Sequence, residues 1–260
     1  MMRHSEKKSR RLILLFFLMT LAFLLIPASL FAESQTPPTE SEEHSIELKT
    51  DEEKTQLNME ESPHKNHSLF IGAGPMLMVS TNSTKKSAPS PVMFGGGLGA
   101  TLFQKMPISA QPRLTFFTNY YLWDGNSAHP AEVENRTALA FSFLLDLNAV
   151  KIIRLKKHTL QAGAGISILI RAGVLANGVS STDSGGTADS TAGDDVSSIN
   201  NWFWSDAHFL YPNLTFCWLY ELPIGWRAGV SANLYIPVGS LSSGNGMDGT
   251  IISITARLEF

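Results

Sequence analysis

The chain has 260 residues, 23 Asp and Glu against 20 Lys and Arg, a net charge of −3 and one cysteine. That length suits one ordinary domain. Cys217 stands alone, which excludes an intramolecular disulfide, and the only run of basic residues after the amino end sits in a turn, which excludes a nucleic-acid surface.

Residues 1–32 read as a secretory signal peptide. Arg3, Lys7, Lys8, Arg10 and Arg11 make a basic start, Leu12 to Leu25 an apolar run, and Pro27, Ala28, Ser29 and Ala32 a small-residue end. Cleavage is expected after Ala32, although Leu30 is a poor small residue at the third position back. The alternative is an uncleaved anchor, but the run is shorter than the ~20 residues of a spanning helix. No cysteine lies near the cleavage point, so a lipid-modified amino terminus is excluded. No other long apolar segment follows, which excludes a helical membrane protein.

Residues 33–67 form an acidic segment with almost nothing to bury, including Glu42-Glu43 and Asp51-Glu52-Glu53. Such a composition predicts a disordered tether. Its HKNH run, His64 to His67, has a loose metal-ligand spacing, and two histidines make a weak signal. No metal site and no cofactor is expected anywhere in the chain.

From Ser68 to Phe260 the pattern is period-two alternation, the mark of strands with one polar and one apolar face. The first strand, Ser68 to Ser80, sets Leu69, Ile71, Ala73, Leu77 and Val79 against Gly72, Gly74, Met76 and Met78. The second has Val92, Phe94, Leu98, Ala100 and Leu102 against glycines. The third has Leu114, Phe116, Tyr120 and Leu122, then a polar loop from Asp124 to Asn135. The fourth is the clearest, with Leu139, Phe141, Phe143, Leu145 and Leu147 against Ser142, Asp146 and Asn148. A basic connection spans about Lys151 to His158, and its residues are expected to meet lipid phosphates at the periplasmic interface. The fifth strand sets Leu160, Ala162, Ala164, Ile166, Ile168 and Ile170 against Gln161 and Arg171. A long loop, about Gly173 to Ser205, is expected to be mobile and solvated; its aspartates lack the fixed ligand pattern of a calcium loop. The sixth strand has Leu210, Leu214, Phe216, Trp218 and Tyr220 on its apolar face, with Pro212 weakening the assignment. The seventh has Trp226, Ala228, Val230, Ala232, Leu234 and Ile236. The eighth, Thr250 to Phe260, alternates without a break.

Long connections after strands one, three, five and seven, and shorter ones after two, four and six, give an up-and-down meander. The charges Arg113, Asp146, Arg171, Glu221, Arg227, Arg257 and Glu259 all fall on the small polar face, and the apolar face carries none. Aromatics stand near its strand ends: Phe94, Tyr120, Trp218, Tyr220, Trp226 and Phe260. A water-soluble barrel or sandwich shows the reverse polarity. The expectation is an all-β fold, an eight-stranded antiparallel up-and-down transmembrane β-barrel with a disordered amino-terminal tether, its apolar face on lipid and its charges in the lumen. In an interior filled by side chains those charges should pair, with Glu221 on Arg227 across the turn and Arg113 on Asp146.

Signal peptide, eight amphipathic strands, alternating short turns and long loops, and a final aromatic at Phe260 together resemble the small outer-membrane barrels of diderm bacteria, of the outer membrane protein W and X types. The acidic tether departs from that family, in which the chain enters the barrel directly; spirochaete members are one place where such a variant would occur. The resemblance implies an outer-membrane location, the lipid bilayer as a partner, and recognition by the barrel assembly machinery through Ile254, Ala256, Leu258 and Phe260.

Three functions fit this frame. The first is a binding or structural barrel with surface-exposed loops. The second, which the resemblance suggests, is passage of small hydrophobic compounds through an apolar upper lumen built from Phe103, Phe117, Tyr121, Leu144, Phe209 and Tyr211, though these side chains also serve as plain filling. The third is a lipid-modifying enzyme on Ser205, Asp206 and His208; Ser205 is expected to point away from the other two, so no enzymatic role is expected.

Overall fold

The computed structural model describes residues 66–80, 91–244 and 246–260. The signal peptide, the acidic segment up to Lys65 with His64, and the polar stretch 81–90 lie outside the described residues.

Among the described residues nine strands form one sheet: β1 (His67–Met78), β2 (Val92–Leu102), β3 (Ser109–Trp123), β4 (Ala128–Pro130), β5 (Ala138–Leu155), β6 (His158–Leu175), β7 (Leu210–Glu221), β8 (Arg227–Tyr235) and β9 (Ile251–Glu259). All pairings are antiparallel. Each long strand pairs with its neighbours in the chain, and β1 pairs with β9, so eight strands close into a barrel with β4 as a short addition beside β3. The closure is sealed at the carboxyl end, where Leu69 and Phe260 exchange backbone hydrogen bonds of 2.9 and 3.0 Å. Closure leaves no unpaired edge among the eight long strands.

Alternation along each strand decides what faces in. On β5, Leu147 is 64 % exposed and Asp146 only 5 %. Phe94, Leu98, Ile166, Phe216 and Ile254 likewise stand on the outer surface. The lumen takes what is left. Met76, Met93, Phe117, Leu144, Leu169, Tyr211 and Tyr235 pack together in its upper part, towards the long connections. Below them come hydroxyls, amides and the charged side chains. Glycine makes the tight filling possible. A Cβ on Gly99 would lie 2.4 Å from the Phe70 ring, and one on Gly95 the same distance from the Met76 sulfur. The space left at these glycines is filled by the two side chains.

Four connections differ from the sequence reading. Lys151 to Leu155 belong to β5, and only Lys156 and Lys157 form the turn, with Lys156 at φ 52°. Within the Asp124–Asn135 segment, β4 folds back on Tyr121–Trp123, held by an Asp124–His129 contact of 2.8 Å. The long loop is ordered around a helix, α1 (Ala192–Trp204). A second helix, α2 (Val238–Ser243), lies before β9 and ends on Gly244 at φ 84°. Pro212 does not interrupt β7: it pairs in register with Ile166, and its carbonyl accepts from the Ile236 N–H at 2.9 Å.

The start of α1 explains its order. Thr191 caps it in a reciprocal box, its hydroxyl accepting from the Asp194 N–H while the Asp194 carboxylate accepts from the Thr191 N–H. Val196, Ile199 and Phe203 recur at helical spacing. Ile199 and Phe203 are fully buried against Tyr121, Ala128, Ala138 and Ala140. Asn200 ties the helix to β6 by a pair of hydrogen bonds to the backbone of Gly173, at 2.8 and 2.9 Å. The helix therefore sits on the long-connection end of the lumen, where the sequence reading has a mobile loop.

Candidate functional site

Among the described residues, lumenal charges pair in two places, and a third position holds a lone cation. Halfway up, Arg113 and Asp146 are register partners on β3 and β5, 2.6 Å apart. The Tyr235 hydroxyl, from β8, accepts from Arg113 at 2.6 Å and donates to Asp146 at 3.2 Å. One tyrosine thus spans the lumen and closes a triangle.

At the short-turn end, Glu259 is the hub. It takes Arg227 at 2.6 Å on one oxygen and Arg257 at 2.7 Å on the other. Ser68 donates to it at 2.5 Å. Arg257 also lies 3.6 Å over the Phe70 ring, a cation–π contact. The Glu221–Arg227 ion pair is corrected here. The two residues are register partners as expected, but Glu221 is exposed at the rim and Arg227 turns inward to Glu259. An exposed pair at a rim gains little, whereas Glu259 is fully buried and already flanked by Arg257.

At the helix-covered end, Arg171 forms no ion pair among the described residues. Its guanidinium lies 4.1 Å over the Phe203 ring, donates to the His208 carbonyl at 2.9 Å and approaches the Tyr121 hydroxyl at 3.4 Å. Aromatic faces and a carbonyl compensate this buried cation where a carboxylate was expected.

Of the residues expected to line an apolar route, Phe117, Tyr121, Leu144 and Tyr211 are buried in the packed lumen. Phe103 is not among them. It lies in the β2–β3 turn at the opposite end, exposed, with φ 60° and its ring against His67. Phe209 is half-buried beside Trp204. A lumenal cavity bounded by Arg113, Tyr235 and Arg257 has a volume of about 20 Å³, room for about one water. No calcium-type or other metal cluster of His, Cys, Asp or Glu occurs among the described residues.

Ser205 does not point away from His208 as expected; its hydroxyl is 3.5 Å from His208 Nδ1. Both groups are nevertheless committed elsewhere. The Ser205 hydroxyl donates to the Trp202 carbonyl at 3.0 Å, and His208 Nδ1 donates to the same carbonyl at 3.1 Å. They finish α1. With Nδ1 as the donor, the ring nitrogen that faces Ser205 has no lone pair to take its proton. Burial, then the nearby Arg171 charge, pushes the His208 pKa below its ordinary value, so the ring is neutral near pH 7.

On β9, Ile254 and Ala256 are exposed on the outer surface, Leu258 is half-buried beside them, and Phe260 stands exposed with its ring 5.9 Å from Trp226. These four residues form one continuous outward face.

No family model matches the sequence, and no curated protein does. Among solved structures the chain is similar to Neisserial surface protein A, with 11 % identity, 75 % of this chain and 96 % of that one covered, and a TM-score of 0.43. It is similar to the outer membrane protein OprG from Pseudomonas aeruginosa, with 10 % identity, coverage of 76 % and 97 %, and a TM-score of 0.42. The Yersinia pestis outer membrane protein Ail gives 9 % identity, coverage of 75 % and 100 %, and a TM-score of 0.36. At these identities function has to be read from the residues of this chain.

Proposed function

We propose that the chain is an integral outer-membrane barrel with a closed lumen, whose working surface is the structured end built by its long connections, in a binding or structural role. One observation carries this reading. Around the barrel the apolar side chains face out and the charges face in, with Leu147 64 % exposed beside Asp146 at 5 %. In water such a surface invites aggregation; in a bilayer it is the lipid contact that a closed sheet requires. The short turns then face the periplasm, with Lys156 and Lys157 at the level of lipid phosphates, and the long connections face outward. Ile254, Ala256, Leu258 and Phe260 present the face that the barrel assembly machinery would read.

The filled lumen favours this reading over passage of hydrophobic compounds through the barrel. The commitment of Ser205 and His208 to the end of α1 favours it over hydrolysis.

The test is refolding into phospholipid vesicles, followed by gel migration with and without heating and by planar-bilayer recording. A heat-dependent shift and no steady conductance are expected. Recovery in the soluble fraction without a heat-dependent shift overturns the membrane reading, and steady channels overturn the closed lumen.

A further inference from the structure

A cleft of about 430 Å³ opens at the long-connection end, between the β3–β4 turn, the end of α1 and the turn before β7. It falls within the ~300–1,000 Å³ range of small-molecule sites. Two indoles, Trp123 and Trp202, line it together with Asn126, Asn201 and Asp206. Both indoles are half-buried and held from behind. Trp202 stacks on the His208 ring at 3.9 Å, and Trp123 packs against the cluster around Ile199 and Phe203. The polar side chains are idle. Among the described residues the amides of Asn126 and Asn201 and the carboxylate of Asp206 have no hydrogen-bond partner. Asp206 and Ala207 hold φ of 46° and 59°, a left-handed pair that is strained for alanine. His208 also borders the cleft, and with its Nδ1 given to the Trp202 carbonyl it keeps a lone pair on Nε2.

This chemistry selects its ligand. Rigid aromatic surfaces offer an apolar ring face something to lie on. Around them are two amides that both donate and accept, and two groups that accept, which matches hydroxyls that do both. Among the described residues no cationic side chain lines the cleft, so a phosphate or sulfate finds no counter-charge on them. Apart from Trp123 at the end of β3, the described lining belongs to turns and helices, so the cleft wall offers an extended peptide no strand to pair with. We infer that this cleft binds a neutral glycan, one pyranose against an indole and its hydroxyls shared among Asn126, Asn201 and Asp206. The sugar comes either from glycans in the medium or from glycolipid in the surrounding leaflet. The inference rests on the outward-facing barrel for the direction the cleft opens, while the binding itself is a property of the folded chain.

The full chain, refolded in detergent and certified by its β-sheet circular dichroism and cooperative unfolding, is titrated with lactose, maltose and chitobiose. Tryptophan fluorescence and saturation-transfer NMR are followed. Saturable binding of at least one sugar is expected, weakened about tenfold or more in N126A/N201A, which removes two exposed amides and leaves the circular dichroism and cooperative unfolding unchanged. In nanodiscs, lipopolysaccharide that blocks the free sugar assigns the leaflet as the source; binding unaffected by lipopolysaccharide assigns the medium. No saturable response to any of the three sugars, equal binding by N126A/N201A, or saturable binding of a random peptide library in their place overturns the inference. Failure of the membrane reading would appear in vesicle fractionation and leave this titration unchanged.

Discussion

Arg113 and Asp146 face each other across the β3–β5 pairing, 2.6 Å apart, and Tyr235 from the far side of the lumen hydrogen-bonds to both. The pair is almost wholly shielded, so its members depend on one another. Removing one leaves a buried charge without compensation, which costs about 3–5 kcal/mol. Arg113→Ala and Asp146→Ala are each expected to lower the unfolding free energy of the vesicle-embedded barrel by that order. The double variant Arg113→Met/Asp146→Leu should lose far less than the sum. Urea titration read by gel shift measures all three.

The Glu259 hub separates two accounts of the short-turn end. Glu259→Gln strips both Arg227 and Arg257 of their carboxylate and is expected to destabilise by several kcal/mol. Glu221→Gln, at the exposed rim, is expected to stay within about 0.5 kcal/mol. Equal effects from the two substitutions in the same unfolding assay would contradict the assignment.

That contrast shows where sequence reading stops. The alternation of Leu139 to Asn148 reports the face of every residue, because a strand has only two faces. The register of Glu221 against Arg227 followed from the turn. Which carboxylate Arg227 chooses did not, because Glu221 on β7 and Glu259 on β9 are both its register partners, and only the burial of Glu259 beside Arg257 decides between them. The helix was legible in principle: Thr191 and Asp194 make a capping box, and Val196, Ile199 and Phe203 follow at helical spacing. The Gly, Ser, Thr and Asp composition of the preceding twenty residues masked it. Trp123 and Trp202 carried no signal of a shared cleft, since only folding brings them together.

The helix α1 should be a separable unit of stability. Thr191→Ala removes the cap and is expected to cost about 1 kcal/mol. Phe203→Ala empties the seat on Tyr121 and Arg171 and is expected to cost about 3–5 kcal/mol. Hydrogen exchange should show faster exchange confined to 176–209 for Thr191→Ala, with the amides of β5 and β6 below residue 170 unchanged.

Acid should loosen the same end. Burial and then Arg171 lower the His208 pKa, so between the folded and unfolded values the unfolded segment binds more protons and stability rises with pH. The helix seat is expected to be fully stable above the unfolded value of about 6.5, to weaken as pH falls below it, and to level off beneath the folded pKa. At Asp124, burial pushes the carboxyl up, but the N–H groups of Asn126 and Ser127, and then His129, outweigh it and hold it below its usual range. Its contribution to the β3–β4 turn persists to lower pH, and is lost as pH falls through the lowered value. Exchange rates of 176–209 across pH 5–8 should carry a slope that His208→Gln removes and Asp124→Asn leaves in place.

The central claim is that the exposed apolar band meets lipid. Cysteines placed singly at Leu98, Leu145, Ile168 and Ile254, in a Cys217→Ser background, are spin-labelled and the barrel is reconstituted in phospholipid vesicles. The account predicts that collision with oxygen dominates and collision with a water-soluble nickel complex is suppressed at all four. Ready access of the nickel complex to these positions in a folded barrel would contradict it.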